Sequence, residues 1–329
     1  MHAWQVQRHG PPSDALRRVV IDEPVPGPGE LRLRVRAAGI GLPDALMCRG
    51  AYAFLPPLPF VPGQEVCGTV DAVGSGVELS LGTRLMAVTN FFDGRGGFAE
   101  ATIARSDSAF RVPVAMGDED AAAFRIGYST AFIGLVRRGA LQAGEWLLVL
   151  GAAGGSGLAA VQLGAALGAR VIAVVAGEAK RELCASSGAE VVVDRTVVSV
   201  HDAVLEATGG HGVDVVYDPV GGAFAGAMAR CLAPGGRLLA VGFASGKWMD
   251  AEVSELVRRN ASIVGVYAGA QTRAEAEADH EQLLALAADG RLGRATRVVP
   301  FDELPDALSA VDRAEAVGKL VVKVDNVDT

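Results

Sequence analysis

The sequence predicts an α/β protein: a doubly wound parallel sheet joined to a smaller, mostly β unit. Three observations carry that prediction. Six short apolar runs, at 147–150, 171–175, 191–193, 213–217, 238–241 and 263–267, recur roughly every 20 to 25 residues, which leaves room for a helix in each gap. A glycine-rich segment, Gly151-Ala-Ala-Gly154-Gly155-Ser156-Gly157, stands between the first run and helix-forming sequence. Upstream the periodicity changes. Leu31, Leu33, Val35 and Ala37 alternate with Arg32, Arg34 and Arg36, the period of a strand with one buried and one wet face.

In chain order, the alternating strand leaves its three arginines as a solvated stripe. Turn clusters at 24–30, 56–62, 74–76 and 93–97 punctuate the first part. Short strands between them make a compact, mostly antiparallel unit up to about Val114. From residue 147 the apolar runs lack alternation, as strands covered on both faces do, and helix-forming sequence fills the gaps at 158–167, 180–187, 204–208, 224–232 and 254–259. A longer helix is expected at 273–289. The tail returns strand, helix and strand at 297–299, 304–311 and 320–324, which places the C-terminus back with the first unit. The expected division is 1–122 rejoined by 296–329, and 123–295.

At 329 residues the chain is long enough for about two domains. Apolar residues make up 50% and charged residues 21%, so the surface available for burial excludes a disordered chain. The glycines follow no fixed period, which excludes collagen. A net charge of −8 argues against a general nucleic-acid binder. Cys48, Cys67, Cys184 and Cys231 form no CxxC pair; free thiols in a reducing, cytoplasmic compartment are expected. Residues 1–10 show no basic flank leading into an apolar stretch, so no signal peptide is expected. The uncharged stretch 147–169 is broken by Gly151, Gly154, Gly155 and Gly157. Each costs about 1 kcal/mol in a helix interior, so no membrane span is expected there.

A strand, a glycine-rich turn and a helix form an arrangement in which backbone N–H groups and the helix N-terminus face a pyrophosphate with no Cβ in the way. Against the pattern G-x-G-x-x-G the best register is Ala152-x-Gly154-x-x-Gly157, with alanine at the first position. The next run ends in Val175-Ala176-Gly177-Glu178-Ala179-Lys180-Arg181, where the adenosine ribose of a dinucleotide would lie. A carboxylate there selects the 2′-hydroxyl of NAD and a cation the 2′-phosphate of NADP. Glu178 and Lys180 leave both open.

The five histidines show no ligand-like spacing with the cysteines, so no metal site is expected. Ser156 lies in no G-x-S-x-G motif, which argues against a nucleophile. Tyr52, Tyr128 and Tyr267 are proton-donor candidates, although for each the plainer reading is packing with a polar handle. The late apolar run 262–267 reads as a sheet-edge strand. An exposed edge is a liability that a two-fold partner relieves, so a homodimer is expected.

Further segments add a resemblance. They are Pro59-Phe-Val-Pro-Gly63-Gln64-Glu65-Val-Cys-Gly68, Val73-Gly74-Ser-Gly76-Val77, Gly127-Tyr-Ser-Thr130-Ala131, the 152–157 turn, Asp218-Pro-Val-Gly221-Gly222, Gly235-Gly-Arg-Leu-Leu-Ala-Val-Gly-Phe243 and Gly318-Lys319. Together they resemble, nearly end to end, the medium-chain dehydrogenase/reductase superfamily in its zinc-independent quinone oxidoreductase branch. Zinc-dependent relatives carry a His where Gln64 stands, a Cys near Gly41 and a four-Cys lobe, none of which is present.

The resemblance implies a Rossmann nucleotide domain and a groES-like domain, with the active site between them. It also implies NADPH-dependent hydride transfer without metal, and a homodimer. The substrate implied is a small molecule, a quinone or another α,β-unsaturated carbonyl. By residue matching, Thr130 lies near the nicotinamide and Phe243 over it. Gly154, Gly155, Ser156, Gly157 and Leu158 form the pyrophosphate loop, and Gly177, Lys180 and Arg195 face the 2′-phosphate and adenine. The proton for the reduced acceptor comes from solvent, Tyr52 or Tyr128.

Two departures stand out. Many relatives carry Asn where this chain has Gly41. Arg125 replaces an uncharged residue, either as a surface charge or as a contact for an anionic substrate. A basic entrance beside Arg125 would favour an enoyl-thioester reductase as the rival activity. A catalytically idle NADPH-binding sensor or structural protein is the rival of another class.

Overall fold

The computed structural model describes residues 1–293 and 297–324. The boundary expected between 295 and 296 therefore lies outside the described residues. Two compact units emerge: Gly127–Gly293, and a unit holding Met1–Ile126 with the strands near the C-terminus.

In the first unit, β1 (His2–Val6) and β2 (Leu16–Val20) form an antiparallel ribbon. Strands β3 (Glu30–Ile40), β4 (Glu65–Val73), β5 (Arg84–Thr89) and β6 (Ala101–Arg111) follow as antiparallel neighbours, and β6 pairs back with β3, so the four close on themselves. Leu31, Leu33 and Val35 of β3 are fully buried and share a core with Val66, Val70, Leu85 and Ala104.

The opposite face of β3 departs from the expected solvated stripe. Asp71 accepts from Arg32 Nε and Arg34 Nη2, both at 2.8 Å, and Glu23 accepts from Arg34 Nη1 at 2.7 Å. The two arginine side chains are only 18% and 33% exposed. Acidic residues brought by β4 and by the segment before β3 turn that stripe into an ion-paired cluster. Only Arg36, bonded to Thr69 Oγ1, stays more than half exposed.

The second unit is built on β7 (Trp146–Val149), β8 (Arg170–Val175), β9 (Val191–Asp194), β10 (Val213–Asp218), β11 (Leu232–Ala240) and β12 (Ser262–Gly265). All pairings are parallel, in the order β12-β11-β10-β7-β8-β9. This is the doubly wound fold that the spaced apolar runs predict, with helices in the gaps at Gly155–Ala166, Glu178–Ser186, Val200–Ala207, Gly222–Ala227 and Val253–Arg259. The order reverses between β7 and β10, and a crevice opens outside the carboxyl ends of strands at such a point.

Two elements end earlier than the sequence predicts. The helix expected at 224–232 stops at Ala227, becomes a 3₁₀ turn and gives way to β11. Pro234 disfavours a helical conformation in the residue before it. The strand expected to reach 267 ends at Gly265, and the Tyr267 side chain is exposed.

Near the C-terminus, β13 (Arg297–Pro300) pairs parallel with β14 (Leu320–Lys323), and β14 pairs antiparallel with β3. The helix Leu304–Asp312 lies between them in sequence. Among the described residues, no helix is long and apolar enough to cross a membrane.

Candidate functional site

The glycine-rich turn begins where β7 ends. Gly151 takes φ +57°, the left-handed region, and Ala152 N–H donates to Val174 O on β8 at 3.1 Å. The left-handed residue is thus Gly151, one position before the alanine of the expected register. Gly154 is the N-cap of Gly155–Ala166 and offers no side-chain acceptor to the first helical turn. The N–H groups that a helix leaves unpaired at its start therefore face outward, suited to an anion. A Cβ on Gly157 would lie 2.3 Å from Gly151 O and 2.8 Å from Ala152 Cα. No other residue lets the turn close so tightly on the helix.

Neighbouring loops pack onto this turn at the carboxyl ends of the strands. Asp218, the last residue of β10, accepts from Val220 N and Gly221 N through Oδ1, both at 2.8 Å. Burial pushes its carboxyl above the ordinary carboxylate range. The Val220 side chain stands 3.0 Å from where a Gly151 Cβ would be. The loop after β11 is tied to the same segment, Ala244 N donating to Pro219 O at 3.1 Å. It carries Phe243, half-buried, with its ring centroid 5.0 Å from that of Trp248. Gly127, in the helix Arg125–Phe132, would place a Cβ 3.6 Å from Gly155 O, so this helix runs beside the turn. Thr130 is half-buried one turn further along it.

The end of β8 holds a second group. Gly177 takes φ +95° and donates its N–H to Asp194 Oδ2 at 3.0 Å. The hydroxyl and N–H of Thr196, followed by that Gly177 N–H, hold the Asp194 carboxyl below its usual range. Glu178 pairs with Arg181 of its own helix at 2.9 Å. Lys180 is half-buried in the same first turn. Arg195 donates its backbone N–H to Val175 O at 3.0 Å, and its guanidinium stands 5.9 Å from the Phe224 ring.

The turn, Thr130 and the rest of its helix from Gly127 on, the Gly177–Arg195 group and the Phe243 loop all belong to the second unit. So does Tyr128, which is buried with its hydroxyl bonded to Gln162 Oε1 and 3.2 Å from Gly293 O. Tyr52 and Arg125 lie in the first unit. Tyr52 packs with its ring centroid 6.4 Å from those of Phe54 and Phe91. The Arg125 guanidinium sits 4.2 Å from the Phe110 ring centroid.

A polar cluster occupies the interior of the first unit. Asp44 accepts from Gly41 N at 2.9 Å and from Gly63 N at 3.1 Å. Burial raises its pKa from 3.8 to about 7, against the pull of those two donors and of Lys319. Glu65 is buried, accepts from Ile126 N at 2.9 Å and pairs with the Lys319 amino group. Gln64 is buried with Nε2 3.8 Å from Met47 Sδ. These residues do not fit a zinc ion. Gly41 has no side-chain donor, Gln64 supplies an amide, and no group of three His, Cys, Asp or Glu among the described residues can hold a metal.

Sequence reasoning missed Tyr217, whose hydroxyl lies 2.9 Å from Ser156 Oγ, and the anchoring roles of Asp44 and Arg181. Each left a faint signal. Tyr217 carries the one side-chain hydroxyl in the run 213–217, Asp44 stands three residues after Gly41, the spacing of half a capping box, and Arg181 stands three after Glu178.

The alcohol dehydrogenase GroES-like domain model matches residues 27–114, and the zinc-binding dehydrogenase model matches residues 155–289. A quinone oxidoreductase-like protein 2 homolog from Nematostella vectensis is 35% identical over 303 residues, covering 90% of this chain and 82% of the relative. A probable oxidoreductase from Mycobacterium abscessus superposes with TM-score 0.87 at 36% identity, covering 98% of this chain and 99% of the other. A mycobacterial protein complexed with NADPH superposes with TM-score 0.89 at 30% identity, covering 98% and 100%. The chain belongs to the medium-chain dehydrogenase/reductase superfamily, in its quinone oxidoreductase branch.

Proposed function

We propose that the protein is a zinc-independent oxidoreductase that passes a hydride from NADPH to a quinone or another small α,β-unsaturated carbonyl compound. The observation that carries this reading is the turn itself: Gly157 pressed against Gly151 O at an uncapped helix N-terminus, beside the sheet's reversal point. Its cradle is one that a Cβ would fill. The backbone of Gly155, Ser156, Gly157 and Leu158, entered through Gly154, would hold the pyrophosphate. Gly177, Lys180 and Arg195 would hold the adenosine 2′-phosphate. The pairing of Glu178 with Arg181 supports Lys180, rather than Glu178, as the charge facing the ribose. Thr130 and Phe243 would flank the nicotinamide.

Bound NADPH supplies a hydride from C4 of its nicotinamide. The chain's own part is to hold donor and acceptor at near-attack distance, which is worth roughly 7–11 kcal/mol of barrier. The reduced acceptor also needs a proton. The bond from Tyr128 to Gln162 engages that hydroxyl elsewhere, which argues against Tyr128 as the source.

The second unit serves as the nucleotide domain and the first as the catalytic domain. The four cysteines are buried free thiols, in keeping with a cytoplasmic setting. Strand β12 lies at the sheet edge with Ile263 exposed, and Val253 and Val257 of the helix that precedes it in sequence are exposed too. Pairing of two β12 edges would give a homodimer, and light scattering showing a monomer at micromolar concentration would contradict it.

The activity test is NADPH oxidation against a panel of quinones, enones and enoyl thioesters. Turnover of quinones or enones is expected. Turnover of thioesters alone would make the protein an enoyl-thioester reductase. Tight NADPH binding with no turnover would make it an idle sensor or structural protein.

A further inference from the structure

Ser156 is the one hydroxyl in a turn otherwise made of glycine and alanine, and its partner comes from a different strand. Tyr217 lies in β10, fully buried, with its hydroxyl 2.9 Å from Ser156 Oγ. Gly134, in the π-helical turn Ile133–Arg138, makes room for the ring, since a Cβ there would stand 3.1 Å from Tyr217 Cε2.

The direction of the hydroxyl pair follows from what surrounds it. Each group has one proton, and only one of them can lie between the two oxygens. Among the described residues, the Tyr217 hydroxyl has no other polar partner. If Ser156 donated, the Tyr217 O–H would be a buried donor without an acceptor, the costlier arrangement. Ser156 is only half-buried, so its proton can reach solvent or a ligand. Tyr217 therefore donates and Ser156 accepts. Burial also pushes the Tyr217 phenol up, which keeps its proton in place.

We propose that Tyr217 is a positioning residue for the cofactor: by donating to Ser156 Oγ it turns the Ser156 proton outward, onto a pyrophosphate oxygen at the start of the helix Gly155–Ala166. The pair then adds one oriented side-chain donor to a cradle otherwise made of backbone N–H groups. This rests on the NADPH reading of the site above and names a residue that acts on the cofactor through another.

The test is a fluorescence titration of NADPH into wild type, Tyr217→Phe, Ser156→Ala and the double variant, with 2′-AMP as a probe that has the 2′-phosphate but no pyrophosphate. Loss of a hydrogen bond to a charged group predicts that Ser156→Ala weakens NADPH about tenfold. Tyr217→Phe leaves the serine in place but unheld, and weakens NADPH about three- to fivefold. Because the two residues act as one unit, the double variant binds within about twofold of Ser156→Ala. The affinity for 2′-AMP is unchanged throughout. Gly134→Ala, which presses on the ring while leaving both hydroxyls, gives the same pattern: weaker NADPH and unchanged 2′-AMP.

An unchanged Kd for NADPH in Tyr217→Phe, additive losses in the double variant, or a parallel loss of 2′-AMP affinity overturns the inference while the NADPH reading stands. A wild type that takes up no NADPH overturns both.

Discussion

The glycine turn of the second unit and the Gly41–Glu65 region of the first are both parts of the fold where the chain bends around polar groups, and they are built in opposite ways. The turn offers backbone. Its shape depends on what is missing: a Cβ at Gly157 and a capping side chain at Gly154. The first unit's cluster is made of side chains, with Asp44 and Glu65 buried and their oxygens occupied by Gly41 N, Gly63 N, Ile126 N and Lys319. In the turn, the first N–H groups of the helix are left without a side-chain cap. In the cluster, buried acceptors are satisfied from within, and Gln64 and Gly41 supply none of the soft or charged donors that a zinc ion takes. One region leaves backbone donors open, and the other holds its own loops in place.

The contrast is broken most sharply at Lys319. Its partner Glu65 is nearly inaccessible, with a side chain 3% exposed. Removing one member of a buried pair leaves an uncompensated charge, worth about 3–5 kcal/mol. Lys319→Met should lower unfolding stability in urea by that order, and Glu65→Gln by less, because the Lys319 ammonium it leaves unpaired is the more exposed member, at 15% against 3%, and can reach water. Equal and small losses would show the pair to be a surface-like contact.

Asp44 gives a pH signature that the glycine turn cannot. Its folded pKa, about 7, lies above the ordinary 3.8. The folded state thus binds a proton that the unfolded chain releases. The resulting stabilisation is complete below about pH 4 and is lost as pH rises through 7, a swing of about 4 kcal/mol at 1.36 kcal/mol per unit. Asp44→Asn should be less stable than wild type at pH 5, because an amide offers one acceptor oxygen for the two N–H groups. The deficit should shrink by pH 8. Thermal unfolding across that range checks it, and parallel curves for the two proteins would refute it.

In the turn the effect falls on binding as well as stability. Gly157→Ala must push its Cβ against Gly151 O, 2.3 Å away in the undisturbed geometry. Overpacking of that kind costs about 1–3 kcal/mol. The deformed cradle should also weaken NADPH by more than tenfold at 1.4 kcal/mol per decade, read by titration beside a melting curve. Retained NADPH affinity in a folded Gly157→Ala protein would remove the turn from the site.

The same contrast explains what the sequence alone could convey. Glycines at 151, 154, 155 and 157 encode backbone directly, and unalternating apolar runs encode buried parallel strands, so the second unit's sheet and turn are legible in a single segment. The first unit's interior depends on meetings between distant residues. Arg32 and Arg34 read as solvent-facing because Glu23 and Asp71 reach them only once the strands pair. Asp44 meets Gly63, and Glu65 meets Lys319, across stretches that no local pattern spans. Tyr217 escaped for a related reason: an aromatic residue in an apolar run reads as packing, and only the folded chain brings its hydroxyl to Ser156.

The central claim is that the second unit's turn and the Lys180 side chain together take NADPH. The direct measurement is kcat/KM for NADPH and NADH, side by side, in wild type and Lys180→Ala. A hydrogen bond to a charged phosphate is worth roughly 1.5–3 kcal/mol, so wild type should favour NADPH by about one to two decades, and the substitution should remove most of that preference. A wild type that favours NADH, or a preference that survives the loss of Lys180, would contradict the claim and give the ribose to Glu178.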